Sequence, residues 1–201
     1  MNDAATERID GRTARRERGR RAVLEAGLRL LSADGVATTE MLASEAGIST
    51  SSLFRYFDGM DELYRQMADY FAERHADLFD AVPAPGADRT DRISEFVALR
   101  LRNWETIAPL AQRVEAYALV NPEATPATTS LRRRTAEHVE RFFAPELDQL
   151  TPARRIDLAS TIDTLTSAEA GRILAEVHHR TQHQIRRSWM SALTILLAAE
   201  H

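Results

Sequence analysis

The chain has 201 residues, enough for one or two domains with a real hydrophobic core, and its 44% apolar and 28% charged residues are typical of a globular protein. It contains no cysteine, which excludes disulfides, thiol catalysis and cysteine-ligated metal. No apolar run approaches the roughly 20 residues that cross a bilayer, and the N-terminus lacks the apolar region of a signal peptide, so we expect a cytoplasmic protein.

The charge is unevenly distributed, although the net charge is only −4. Residues 11–22 hold six arginines against the single acid Glu17, and all 26 basic residues of the chain are arginine. We predict that residues 1–14 form a flexible basic arm, and that Arg15 and Arg16 lie in the phosphate field of DNA. The alternative is a solubilising tail without a partner.

Three helices are predicted near the N-terminus. The first runs from about Arg15 to Ala33 on a broad apolar stripe, and Asp34-Gly35 ends it with a suitable glycine. A short second helix follows, with apolar residues at helical spacing: Met41, Leu42, Ala43 and Ala46.

A tight turn then leads into the third helix. Gly47 can supply the positive φ that ends a helix, and Ser49 can cap the next one, whose Leu53 and Phe57 point inward together. Two short helices joined by such a turn make a helix-turn-helix, which lays one helix into the major groove of DNA. The sequence therefore predicts a DNA-binding regulator.

The same stretch carries a family resemblance. Its segments resemble the pattern AGVSxGTLYxHFxSKExL of the tetracycline-repressor (TetR) family of transcriptional regulators: Ala46-Gly47-Ile48-Ser49, Ser52-Leu53-Phe54-Arg55-Tyr56-Phe57 and Asp61-Glu62-Leu63. The resemblance covers roughly residues 15 to 70 and continues more weakly through the rest. It implies a ligand-responsive regulator, usually a repressor, and no enzyme.

Beyond this head the pattern again predicts helices. A fourth helix begins near Met60 with acids in its first turn, continues to Leu78, and is followed by a break at residues 82–86, where two prolines and a glycine occur. Thr90 is then expected to cap a helix that Ala108-Pro109 interrupts.

Further helix starts are predicted from threonine-proline pairs. Thr125-Pro126 starts one helix that stops before Pro145, and Thr151-Pro152 starts one that continues to Val177. The last helix spans about Gln182 to Ala199. With no alternating strand pattern, we predict an all-α fold of about nine helices. The expected domains are the arm at 1–14, a head with its linking helix at 15–82, and a helical ligand-binding and dimerisation domain at 83–201.

Small polar side chains at the start of the third helix suit close approach to base edges and phosphates. The resemblance adds backbone contacts from the second helix and places Ser52 and Tyr56 at DNA-contacting positions. The predicted DNA-binding residues are Arg15, Arg16, Thr38, Thr39, Ser49, Thr50, Ser51, Ser52, Arg55 and Tyr56.

Three positions depart from the family pattern. Phe54 stands at the usual tyrosine and has no hydroxyl, Ser51 replaces the usual glycine, and Met60 replaces a phosphate-binding lysine. We hypothesise that Arg55 and the arginines of the arm compensate for the lost charge.

The sequence also predicts a homodimer on a palindromic operator, because one helix-turn-helix buries little DNA surface. The resemblance implies that the last helices pair across the two subunits. The predicted interface residues are Leu165, Ile173, Leu174, Ile185, Trp189, Leu193 and Leu196. The alternative is that these apolar faces are internal core.

The resemblance further implies an unidentified small-molecule effector, bound among the middle helices, and no cofactor. Side chains that could line this site are Phe96, Arg100, Trp104, Tyr117, His138 and Phe142.

Two rival interpretations remain. One is a helical small-molecule-binding protein without DNA binding, which the changes at Phe54 and Met60 leave open. The other is a metal-dependent enzyme using His179 and His183, which lie four residues apart, although no third ligand is evident.

Overall fold

The computed structural model describes residues 3–34 and 37–198, with only the backbone described for residues 3–12, Asp34 and Ala108. Over these ranges all regular structure is helical, which confirms the predicted all-α class, and the helix count is close to the predicted nine. The helices are α1 (Asp3–Asp34), α2 (Thr39–Glu45), α3 (Thr50–Tyr56), α4 (Met60–Arg74), α5 (Ala76–Phe79), α6 (Arg89–Val120), a 3₁₀ helix (Pro122–Ala124), α7 (Thr125–Leu147), α8 (Pro152–Leu165), α9 (Ala168–Glu176) and α10 (Gln182–Ala198). None of these helices combines the length and apolar character needed to cross a membrane.

The chain forms two compact units. Unit 1 contains Met1–Arg74 and Leu110–Ser130, and unit 2 contains His75–Pro109 and Leu131–His201. Helices α6 and α7 therefore each contribute residues to both units. The functional domains expected at 1–14, 15–82 and 83–201 stay a prediction.

The core of unit 1 is built by the apolar faces of its helices. Fully or nearly fully buried side chains come from α1 to α4: Val23, Ala26, Leu31, Leu42, Leu53, Leu63, Met67 and Phe71. Each large apolar side chain contributes about 1.5–3 kcal/mol when it leaves water. This burial, rather than helix propensity, holds the short helices α2 and α3 in place.

Unit 2 has an aromatic centre on α6 and α7. The ring centroids of Phe142 and Phe143 lie 5.6 and 5.0 Å from that of Phe96, both in edge-to-face geometry. Trp189 of α10 is also buried, and its ring packs close to Gly171 of α9, where an added Cβ would lie 3.4 Å from the indole. The two edge-to-face contacts of Phe96 each add about 0.5–1.5 kcal/mol to the free energy gained by burying the rings.

Several predicted helix starts are wrong. Helix α1 begins at Asp3, well before the expected Arg15. The alanines and arginines of this stretch are good helix formers, although Gly11 and the two threonines are not. Asp88 rather than Thr90 caps α6, since its Oδ1 accepts from the backbone N–H of Asp91 at 2.9 Å. The predicted end of the first helix at Gly35 lies outside the described residues, as does Ala199.

Two prolines do not end their helices as predicted. Helix α6 continues through Pro109, with Ile107 and Val114 buried on either side. Helix α7 continues through Pro145, although Phe143 there has non-helical angles (φ −117°, ψ 19°). A proline costs about 3 kcal/mol inside a helix, and the burial of flanking apolar side chains offsets that cost.

Two predicted helices are divided in the structure. The fourth helix ends at Arg74 instead of Leu78, and α5 follows separately. The segment expected to run to Val177 breaks after Leu165, because Ser167 caps α9 by accepting from the N–H of Ala170 at 3.1 Å. By contrast, Ser49 caps α3 as predicted.

Tyr64 makes a hydrogen-bonded contact inside unit 1 that can be tested. Its hydroxyl donates to the carbonyl of Ala37 at 2.7 Å and lies 3.0 Å from the hydroxyl of Tyr117, which must then donate to it. We expect Tyr64→Phe to lower the free energy of unfolding by about 1–2 kcal/mol, because a buried carbonyl loses its donor. Urea unfolding measures this change.

Tyr70→Phe is the matched control. Its hydroxyl donates to Glu25, a half-buried carboxylate that water can reach. An equal loss of stability in the two variants would contradict the importance assigned to the Tyr64 contact.

Candidate functional site

The helix-turn-helix is fixed by caps at both of its helices. Thr38 Oγ1 accepts from the N–H of Met41 at 3.4 Å, and Ser49 Oγ accepts from the N–H of Ser52 at 3.2 Å. Between them Gly47 has φ of +68°, a conformation that side-chain-bearing residues rarely adopt. The turn and the Ser49 cap therefore have the geometry that the sequence predicted, whereas the Thr38 cap was not predicted.

Helix α3 presents one face to solvent. Leu53 and Phe57 are buried, whereas Ser52 and Tyr56 are half-buried. Four residues on the opposite arc are exposed: Thr50, Ser51, Phe54 and Arg55. This set, named here the α3 outer face, offers two hydroxyls, a guanidinium and an aromatic ring to a partner.

The serines at the start of α3 are linked to one another. Ser49 Oγ donates to Ser52 Oγ at 3.0 Å and lies 2.9 Å from Ser51 Oγ. Arg55 Nη2 donates to Ser52 Oγ at 3.2 Å, which holds the guanidinium beside these hydroxyls. Neutral hydroxyls and a fixed cation together suit phosphate oxygens and base edges.

Helix α1 contributes a second cationic element close to α3. Arg16 Nη2 donates to the backbone carbonyl of Arg55 at 3.5 Å, while Arg15, Arg16 and Arg18 are all exposed. Farther along α1, Arg20 is hydrogen-bonded to Gln66 instead. The structure thus places Arg16 beside the predicted recognition helix.

Gly19 is a residue of this region that sequence reasoning missed. A Cβ at Gly19 would lie 2.6 Å from the Tyr56 hydroxyl, so a larger residue would force the end of the tyrosine side chain away from its position across α1. A glycine between arginines in the interior of a helix costs up to about 1 kcal/mol and signals a close approach. That signal was available in the sequence.

Met60, which stands where the family pattern has lysine, contacts a residue of α2. The Thr39 hydroxyl donates to its Sδ at 3.5 Å, which binds the start of α4 to the start of α2. Thr38 is exposed and uses its oxygen as a cap, whereas Thr39 is half-buried. Of the two threonines, Thr38 is therefore the more accessible to a partner.

Four of the predicted ligand residues meet in the interior of unit 2. Phe96, Arg100, His138 and Phe142 are buried, and the Arg100 guanidinium lies 4.8 Å from the Phe96 centroid. Trp104 instead packs on Gly171, and Tyr117 belongs to unit 1, where it contacts Tyr64.

Arg100 is a buried cation with an acidic partner. Its Nη2 donates to Asp163 Oδ1 at 2.6 Å and to the carbonyl of Thr135 at 3.1 Å. Burial lowers the pKa of Arg100, and the Asp163 carboxylate acts in the opposite direction. The pair ties α6 to α8 in the middle of unit 2.

His138 is buried in its neutral form. Its Nε2–H donates to the carbonyl of Phe79 at 2.7 Å, and its Nδ1 has no partner among the described residues. Burial, with a further contribution from the charge of Arg100, lowers the pKa of His138 to about 4. An uncharged acceptor nitrogen therefore faces the interior of unit 2.

An open cavity of about 620 Å³ lies elsewhere in unit 2, beside α6 and α10. Of the six predicted ligand residues, only Phe142 lines it. Apart from His183, which was considered only as a metal ligand, its polar lining consists of residues that sequence reasoning did not single out: Glu95, Arg102, Glu105, Gln182 and Arg186. The charges alternate in sign along α6 only, since α10 contributes a neutral amide, a histidine and an arginine, and no local motif marks this lining.

The histidine pair does not share a helix face. His179 lies in the loop before α10 with φ of +50°, and only His183 is on the helix. Within the described ranges, no group of three or more potential ligands could hold a metal ion. The two histidines therefore lack the shared helix face that a metal site at this spacing requires.

The predicted dimer residues divide into two sets. Ile185, Trp189 and Leu193 are covered by their own chain, so a partner subunit could not bury them further. Leu165, Leu174 and Leu196 are half-buried, and Ile173 is 46% exposed. Val177 and Ile195, which were not predicted, are exposed apolar side chains on the same C-terminal segment.

A helix-turn-helix with a polar, cationic outer face is the arrangement with which many proteins place a helix in the major groove of DNA. Residues 23–67 match the family model of bacterial regulatory proteins, tetR family. The findings together support a TetR-family transcriptional regulator, which confirms the resemblance noted in the sequence.

Solved structures share the fold over most of the chain. A protein from Streptomyces coelicolor A3(2), SCO7518, is 22% identical with a TM-score of 0.66, covering 90% of this chain and 99% of that one. A transcriptional regulator from Rhodococcus sp. Rha1 is 13% identical, with a TM-score of 0.61 and coverage of 89% and 96%. The multidrug binding protein EbrR, complexed with imidazole, is 17% identical, with a TM-score of 0.56 and coverage of 88% and 93%. No curated protein matches the chain.

The buried histidine gives a pH prediction. Because the pKa of His138 falls from 6.5 to about 4 on folding, the unfolded chain binds an extra proton between these values. The contribution of the neutral His138 to the free energy of unfolding is fully present above pH 6.5. It declines as the pH falls, by up to about 3 kcal/mol near pH 4. Urea unfolding between pH 7.5 and about 4.5 measures this decline.

His138→Gln supplies the comparison, since its amide nitrogen can still donate to the carbonyl of Phe79 but does not titrate. His178→Gln, at an exposed position, should retain the wild-type pH dependence. Equal pH dependence in the wild type and His138→Gln would refute the assignment.

Proposed function

We propose that the protein is a ligand-responsive repressor that binds a palindromic operator as a homodimer and is released from it by a small molecule. The α3 outer face carries the proposal, because a capped helix exposes Thr50, Ser51 and Arg55 together. The family match over residues 23–67 supports the DNA-binding part. In this proposal the predicted residues from Arg15 to Tyr56 contact the operator.

The contacts are expected to divide by chemistry. Arg16 and Ser52 border the α3 outer face through their hydrogen bonds to Arg55, and Thr38 is exposed at the start of α2. Their hydroxyls and guanidinium group suit phosphate oxygens, which accept hydrogen bonds from both. Thr50 and Ser51 stand on the exposed arc, where base edges are within reach. Arg55 can serve either role, since guanidinium also pairs bidentately with guanine.

Selection of bound fragments from random duplex DNA tests the whole proposal. We expect an enriched inverted repeat, with half-sites about one helical turn apart, as two-fold dimers require. Absence of any enriched sequence over bulk competitor would refute DNA-specific binding. An enriched site without two-fold symmetry would refute the dimeric mode alone.

A dimer is favoured by the exposed apolar side chains of the C-terminal segment. Ile173, Val177 and Ile195 are 46%, 66% and 66% exposed, although large apolar side chains elsewhere in unit 2 are mostly buried. A second copy of the same chain could cover them in a symmetric interface. The half-buried Leu165, Leu174 and Leu196 would line the edge of that contact.

Release by a small molecule is supported by the cavity of about 620 Å³ in unit 2. Its size lies in the range of small-molecule sites, and its lining combines Leu99 and Phe142 with charged groups. EbrR, which shares the fold, is described as a multidrug binding protein, and its structures contain imidazole, proflavin and malachite green. A ligand acts as an inducer only if it binds the DNA-free state more tightly.

The second candidate is a small-molecule-binding protein that has lost DNA binding. The contact between Thr39 and Met60 favours it, since this sulfur stands where the family pattern has a phosphate-binding lysine. A ligand that stabilises the protein against heat, combined with a failed duplex selection, would establish this second function.

Salt dependence of operator binding separates phosphate contacts from base contacts. We expect Arg16→Ala and Arg55→Ala each to flatten the slope of log K against log salt by about 0.9 per phosphate lost, or about 1.8 for a symmetric dimer. Fluorescence anisotropy on the selected duplex at several salt concentrations gives the slopes.

Arg172→Ala is the control for this titration, because Arg172 is an exposed arginine of unit 2 paired with Glu176. Its slope should equal that of the wild type. Unchanged affinity and slope in both test variants would remove Arg16 and Arg55 from the phosphate contacts.

The dimer is tested by placing a carboxylate on the exposed apolar segment. We expect Ile195→Glu to be monomeric at micromolar concentration, because an unpaired charge would be buried in the interface. Light scattering after size-exclusion chromatography measures the mass. The control is Leu119→Glu, which changes an exposed apolar residue of unit 1 instead of unit 2 and should remain dimeric. A monomeric wild type, or a dimeric Ile195→Glu, would contradict the proposal.

A further inference from the structure

Phe54 is an exposed aromatic ring at the centre of the α3 outer face. We propose, as an extension that rests on the proposed DNA binding, that this ring packs on the 5-methyl group of a thymine in the major groove. Phe54 would thereby make each subunit specific for a T·A pair at one position of its half-site.

The exposure of Phe54 sets it apart within the head. Its ring is 51% exposed, and in the described part of residues 13–74 it is the only exposed large apolar side chain. Its neighbour Leu53 is fully buried, and Phe57 is 1% exposed. The Phe54 ring is therefore not part of the hydrophobic core of unit 1.

The position of Phe54 on the helix points the ring at the same partner as the polar residues. It lies four residues after Thr50 and three after Ser51, and all three are exposed. Side chains at these spacings share one face of a helix. A duplex that approaches closely enough to meet the two hydroxyls must also meet the ring.

The chemistry of the ring selects its contact among the groups that DNA offers. A phenyl group neither donates nor accepts a conventional hydrogen bond, so it gains little from phosphate or from the polar base edges. The thymine methyl group is the apolar feature of the major-groove edges, and phenylalanine is among the side chains that contact it. Burial of the ring against this methyl group removes apolar surface of both partners from water.

Deoxyuridine tests the contact directly, because it lacks only the 5-methyl group of thymidine. Each thymine of the selected operator is replaced in turn, symmetrically in both half-sites, and the dissociation constant is measured by fluorescence anisotropy. For the wild type we expect one position at which the replacement weakens binding about fourfold per half-site, the effect of removing one methyl group from an apolar contact.

The variant Phe54→Ala identifies the side chain that reads the methyl group. We expect it to bind the thymine and deoxyuridine duplexes equally at that position, and Phe54→Tyr, which retains the ring, to keep the sensitivity. Leu119→Ala, an exposed apolar residue elsewhere in unit 1, should have the wild-type profile. Because the Phe54 ring is half exposed, thermal unfolding of Phe54→Ala should match that of the wild type.

The outcomes distinguish this inference from the function on which it rests. A selected operator with no deoxyuridine-sensitive position, or with equal sensitivity in the wild type and Phe54→Ala, overturns the thymine contact and leaves DNA binding intact. Failure to select any operator overturns both. Sensitivity that disappears only in Phe54→Ala supports the assignment.

Discussion

The arrangement of the helix-turn-helix depends on the burial of Leu53 on α3 and of Phe57 directly after it. A seven-residue helix does not persist alone in water. Leu53 and Phe57 are 0% and 1% exposed, and their burial contributes about 1.5–3 kcal/mol each, more than the roughly 1 kcal/mol of a serine cap. This burial sets the rotation of α3 about its axis. The outward direction of Thr50, Ser51, Phe54 and Arg55 follows from it.

Unit 2 is organised by polar groups held inside an aromatic core. The Arg100 cation lies over the Phe96 ring and is balanced by Asp163, while His138 stays neutral beside it. Removing one partner from such a buried pair is costly, because the remaining charge has no compensation. The cluster therefore fixes how α6, α7 and α8 meet. A separate cavity, lined by α6 and α10, remains open to a ligand.

Local signals in the sequence predicted the head well and the rest of the chain less well. Gly47, Ser49 and the spacing of Leu53 and Phe57 act over a few residues, so the helix-turn-helix could be derived without a structure. Pro109 and Pro145 gave the wrong helix ends, because burial of distant partners outweighs a local cost of a few kcal/mol. The orientation of α10 was equally unpredictable. Its apolar residues indicate a helix, but they do not reveal that Trp189 faces the core while Ile195 faces solvent. The lining of the cavity also depends on which helices become neighbours.

The close approach of Tyr56 to Gly19 has a consequence for protein engineering. The orientation of a side chain on α3 is determined partly by the absence of an atom on α1. A chimera that transfers only residues 49–57 to another helix-turn-helix scaffold would lose this fit wherever the host has a larger residue opposite the tyrosine. The transferable unit thus includes Gly19, which precedes Tyr56 by 37 residues in sequence, and libraries that vary the surface of α3 should keep this position constant.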